Sequence, residues 1–124
     1  MSGLVFLYLG AGLTALWGIS HLFPTASIVK GFGEISADNR HTITMEWINE
    51  GVTLIFIGAL VATVTLIDPL SAVSRAVFLV AVIGLLVLAV ISLLTGFKVR
   101  FFVFKLCPVI FTSSAVLIAI GGLL

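Results

Sequence analysis

The sequence predicts an all-α membrane domain, an antiparallel up-down-up-down bundle of four transmembrane helices built from residues 1–124 as one unit. Three observations predict it. The chain is 61% hydrophobic and 9% charged, with a mean hydropathy of +1.38, whereas a soluble domain carries about 25% charged residues. Its charges fall mainly between the apolar runs, as they do when lipid rather than a protein core solvates the helices. Those runs are long and their connections short, so successive helices are expected to lie side by side in opposite directions.

The first span is expected over residues 4–23, ended by Pro24 in "HLFPT", since a proline commonly stands just beyond a helix. The N-terminal run has no basic leader and no clear cleavage site, so it reads as a retained span and not as a cleaved signal. Residues 25–39 form the one polar connection of appreciable length, with Gly31 and Gly33 marking a turn and Ser36 or Asp38 as N-cap of the next helix. That helix begins near Asn39, with its span over 42–66. "IDPLS", Ile67 to Ser71, is a tight Asp-Pro turn. The third span covers 72–97, "KVRFFVFK" is a basic and aromatic connection at headgroup level, and the fourth span covers 103–124. No repeat supports an inverted-repeat transporter within the chain.

Lys30, Arg40, Lys98, Arg100 and Lys105 fall on one side of this arrangement and Arg75 on the other. The positive-inside rule then places the connections 24–41 and 98–105 in the cytoplasm and both termini outside, in a multi-pass protein of the cell membrane. A net charge of +1 with no basic stripe excludes nucleic acid as a partner. The partners that remain are the bilayer itself and a protein subunit or second copy packed on an apolar face. The single Cys107 makes no intramolecular disulfide and no multi-cysteine metal motif.

The second helix opens with a polar stripe. Asn39, Thr42, Glu46, Asn49, Glu50 and Thr53 recur at intervals of three and four, with Trp47, Ile48, Leu54 and Ile55 off the stripe. Only the seventeen residues from Gly51 to Ile67 follow Glu50, about 25 Å of helix against a hydrocarbon core of about 30 Å. Glu50 is therefore expected just inside the apolar layer and Glu46 at the interface. The first helix ends at the same level and carries Gly10, Thr14, Trp17 and His21 on one face. His21 is expected to face Glu46 and Glu50 across the helix pair, making a pocket of Glu50, Glu46, His21, Asn49 and Trp17.

That constellation admits several chemistries. His21, Glu46 and Glu50 are a candidate three-ligand set for a divalent metal, a proton relay, or a site for a polar or cationic head group. Each residue also has a structural role open to it: Glu50 pairing with Arg40, His21 or a backbone donor, Glu46 solvated, and His21 donating to a local carbonyl. Gly51, Gly58 and Thr65 form a small-residue seam on the second helix, and Gly84, Ser92 and Gly96 a similar one on the third. Pro108 is expected to kink the fourth helix, Thr112, Ser113 and Ser114 to bond back to their own helix, and Cys107 to serve as a small buried hydrophobe.

A first helix ending in "WGISHLFP", a polar connection, and a second helix entered through "MEWINEG" together resemble the small four-helix membrane proteins called DoxX-like. The resemblance covers the whole chain in topology and implies a small subunit of a membrane redox or quinol-linked complex. No haem or other cofactor motif stands beside it. Small multidrug transporters are of similar size but carry their essential acid in the first span, and here that span has none. Because most of the polar signals have a structural reading, the expected role is an accessory or structural membrane subunit, with no catalytic residue assigned. The alternatives are a proton-coupled or small-solute transporter and a membrane-embedded metal or redox protein, each using Glu50, Glu46 and His21.

Overall fold

The computed structural model describes residues 2–124. Its elements are α1 (Ser2–Leu22), α2 (Thr25–Lys30), α3 (Ala37–Ile67), α4 (Ala72–Leu94), a 3-10 turn (Gly96–Lys98) and α5 (Phe102–Gly122), with no strand among the described residues. Four of these helices are long and apolar enough to cross a membrane. Much of their apolar surface faces outward: Val5, Phe56 and Val80 are 58, 63 and 68% exposed. Side chains of this kind are tolerated on the outside when the surroundings are hydrocarbon and not water.

Each helix begins and ends for a local reason. Ser36, one of the two caps expected, accepts from the Asn39 N–H at 3.1 Å and starts α3. Asp68 stops it, its carboxylate accepting from the Leu70 N–H at 3.0 Å in an Asx turn. Ser71 caps α4 by accepting from the Ser74 N–H at 3.1 Å, and the Ser74 hydroxyl donates back to the Asp68 carbonyl at 2.6 Å. The α3–α4 turn is thus laced to the first turn of α4. Two expected loops carry more structure than anticipated. The short helix α2 lies within the polar connection 25–39, with Val29 buried beneath it, and Gly33 takes the positive φ of +77° that its turn requires. The basic connection splits into a 3-10 turn and the first turn of α5, which includes Lys105.

Helix α1 packs along α3 and α5, and α5 packs along α4, while α3 and α4 touch only sparingly despite the short turn that joins them. Glycine explains the closest of these seams. A β-carbon on Gly58 would stand 2.5 Å from the Ala11 carbonyl oxygen, and one on Gly18 would stand 2.6 Å from that of Gly51, so only backbone fits where α1 crosses α3. The expected seam of Gly51, Gly58 and Thr65 is therefore buried as anticipated. The seam expected on α4 is not formed. Its buried face is Ser74, Phe78, Val82, Leu85 and Ala89, and nothing lies within 4 Å of a β-carbon on Gly84. The core is one cluster centred on Leu7, Leu54, Phe78, Leu85, Phe111 and Ile118.

Candidate functional site

The last four carbonyls of an α-helix have no partner within it, and at the end of α1 side chains supply two. Thr25 Oγ1 donates to the Leu22 carbonyl at 2.6 Å, and Trp47 Nε1 donates to the His21 carbonyl at 2.7 Å. Reaching across from α3, the Trp47 indole also stacks on the His21 imidazole, with ring centroids 3.8 Å apart and planes 16° from parallel. One tryptophan thus caps the helix and fixes the imidazole. His21 Nε2 then lies 3.4 Å from Glu50 Oε2, the sole ion-pair contact among the described residues. The two atoms are close, but no aligned hydrogen bond joins them, and Nε2 is buried without a hydrogen-bond partner. The His21 side chain is 8% exposed and that of Glu50 42%.

This pair stands in the wall of a hollow of about 370 Å³ enclosed by the ends of α1, α3 and α4, the start of α5, and α2. Its wall is dominated by aromatic and aliphatic groups, including Trp17, Trp47, Phe101 and Phe104, with Ser92, Thr95 and Cys107 among its few other polar atoms. A second, more open hollow of about 490 Å³ lies along α3, lined by Thr42, Glu46, Asn49 and Thr53 and closed on the other side by Leu88 of α4. Trp47 and Glu50 belong to both. They form the partition between the aromatic hollow and the polar groove, where α3 and α4 stand apart.

Of the expected pocket residues, Trp17, His21 and Glu50 come together, and Glu46 and Asn49 do not join them. The three-ligand metal set of His21, Glu46 and Glu50 is not assembled, and no group of three His, Cys, Asp or Glu among the described residues is placed to hold a metal ion. Helix geometry supplies the reason. The buried face of α3 runs through Gly51, Leu54, Gly58 and Val61, and at about 100° per residue Trp47 lies on that line, Glu50 about 60° off it and Glu46 about 100° off it. The polar stripe is the flank of the helix and not its inward face. Glu50 reaches inward because it sits on the boundary, and it pairs with His21, not with Arg40.

Trp47, which lies off the polar stripe, is the central residue of the site to which polar spacing does not point. The signal was available: Trp47 stands one turn before Gly51 on the glycine seam and so belongs to the packed face. Phe101, Phe104 and Cys107 were missed because they reach the hollow only through the pairing of α5 with α1. Cys107 is half-buried in that wall. The back-bonding expected at Thr112, Ser113 and Ser114 is made elsewhere, at Thr14, Thr63 and Thr65, while Ser114 Oγ is buried with no partner. No family model, curated protein or solved structure matches the chain, and the DoxX-like resemblance rests on the residues quoted for it.

Proposed function

We propose that the chain is a four-span integral membrane protein that acts as an accessory subunit by holding a small amphipathic ligand in the aromatic hollow. Its spans are antiparallel in up-down-up-down order, a reading supported by the crossings of Ala11 with Gly58 and Gly18 with Gly51. The unbalanced basic residues put the hollow at the cytoplasmic end, with both termini outside. The observation that carries the ligand reading is the hollow itself: concave, largely apolar, ringed by aromatic groups and supplied with a few converging polar atoms. Sites for small molecules have this composition. The DoxX-like resemblance adds a setting, a subunit beside a larger membrane complex.

The test is purification in mild detergent followed by mass spectrometry of what accompanies the protein. A small amphipathic compound is expected at near-stoichiometric ratio, and it should be lost when Trp17→Ala and Phe104→Ala open the hollow. Protein that carries nothing and takes up nothing from a lipid extract sinks the reading.

A second reading is favoured by one observation, the position of Glu50 between the two hollows and against His21. A carboxylate reaching both compartments can pass a proton between them, as a proton-coupled transporter requires. In liposomes carrying a pH gradient, Glu50→Gln should then abolish proton-coupled solute movement. Under the accessory reading the same variant folds and binds its partner almost unchanged.

A further inference from the structure

We propose that the aromatic hollow selects a neutral amphipathic molecule by a hydroxyl or carbonyl oxygen, which accepts from Trp17 Nε1–H and from the imidazole edge of His21. This rests on the hollow being a ligand site, as proposed above. Three nitrogen-bearing side chains line the hollow, and only one makes a well-formed hydrogen bond. Trp47 Nε1 donates to the His21 carbonyl. Trp17 Nε1 and His21 Nε2 are both buried and neither has an aligned hydrogen-bond partner, the Cys107 thiol beside the Trp17 N–H being only a weak acceptor. An indole N–H is always a donor and never an acceptor, so its burial beside nothing stronger than a thiol carries a desolvation cost that a bound oxygen would remove. Trp17 and His21 are one turn apart on the same face of α1, with β-carbons about 5–6 Å apart, and a single polar end can meet both.

The charges in the wall narrow the class. The one anion there is Glu50, and it lies 3.4 Å from His21 Nε2. A carboxylate or phosphate entering beside Glu50 would meet a like charge. An ammonium ion would find Glu50 and aromatic faces, but it has no lone pair to offer Trp17 and would leave that donor stranded. A hydroxyl meets every requirement: it accepts from the indole and donates to the carboxylate. A ketone meets the first. The remaining wall, with Phe101, Phe104 and Ile91, suits an apolar ring or chain on the same molecule.

The chain contains two tryptophans, Trp17 and Trp47, and both line the hollow, so intrinsic fluorescence reads the site without a label. The probes are menthol, menthone, p-menthane and a menthyl trimethylammonium salt, which share one carbon skeleton and differ in the polar end. They are titrated into the purified protein in detergent micelles. Menthol and menthone are expected to bind about tenfold more tightly than p-menthane, the effect of one buried neutral hydrogen bond. In Trp17→Phe, which keeps the ring and removes the N–H, that preference should fall several-fold to what the His21 contact alone supplies, with Trp47 still reporting. Because the preference is a ratio within each protein, a partly unfolded sample does not alter it.

A wild-type ratio near one, a ratio unchanged in Trp17→Phe, or tightest binding of the ammonium salt overturns the inference. Binding of the probes without preference for oxygen overturns this selectivity alone and leaves the hollow as a ligand site. Binding of none of them overturns both.

Discussion

At the scale of single residues, the organising group is Trp47, a side chain with two unrelated tasks at one position. Its N–H satisfies a helix-end carbonyl and its ring holds the His21 imidazole beside Glu50. These tasks separate by substitution. Trp47→Phe keeps a ring that can stack and strands the His21 carbonyl, and should lower stability by about 1 kcal/mol. Trp47→Ala removes ring and bond together and should cost clearly more, because a void opens beside His21. Thermal unfolding in detergent followed by circular dichroism distinguishes them. Equal losses would assign the whole effect to the hydrogen bond, and no loss in Trp47→Phe would mean that the carbonyl finds another donor. The site was legible in the sequence only in part, and this residue shows why. Polar spacing singled out the carboxylates, whereas inward direction is set by the packed glycine seam, and the two lie on different faces of α3.

At the scale of elements, hydropathy carried most of the information, because span length is a property of each segment alone. Expected spans 4–23, 42–66, 72–97 and 103–124 correspond to helices Ser2–Leu22, Ala37–Ile67, Ala72–Leu94 and Phe102–Gly122. What escaped was short or depended on partners. Six residues of α2 are too few to establish a helical period, and α3 begins before its apolar run because Ser36 caps it. The α4 seam failed because spacing of small residues says that close approach is allowed, not that a partner is present. This difference predicts opposite outcomes at two glycines. Gly58→Val drives side-chain atoms into the Ala11 backbone and should destabilise by about 1–3 kcal/mol, as overpacking does. Gly84→Ala meets nothing within 4 Å and should change stability by no more than about 0.5 kcal/mol, as at an unconstrained surface site. A large loss at Gly84 would reveal a second chain packed on that face of α4, and a neutral Gly58→Val would contradict the α1–α3 crossing.

At the scale of the whole molecule, the sparse contact between α3 and α4 and the outward apolar side chains both make sense with lipid as the surrounding solvent. Hydrocarbon covers such surfaces without penalty, so helices adjacent in sequence need not be tightly packed. The position of the hollow then depends on orientation, which rests on five basic residues, Lys30, Arg40, Lys98, Arg100 and Lys105, against Arg75. The chain is well suited to a direct measurement because Cys107 is its one cysteine. In a Cys107→Ala background, Ser36→Cys and Leu70→Cys each place a single thiol, the first ahead of α3 and the second in the α3–α4 turn. Both native residues lie outside the packed core, Leu70 being 86% exposed. A membrane-impermeant maleimide added to intact cells should label the position 70 variant and leave the position 36 variant unlabelled until the cells are opened. The reverse pattern would put the hollow and its basic rim on the outer face, and the ligand would then have to arrive from outside the cell. Labelling of both in intact cells would contradict the odd number of spans between them, since α3 alone separates the two positions.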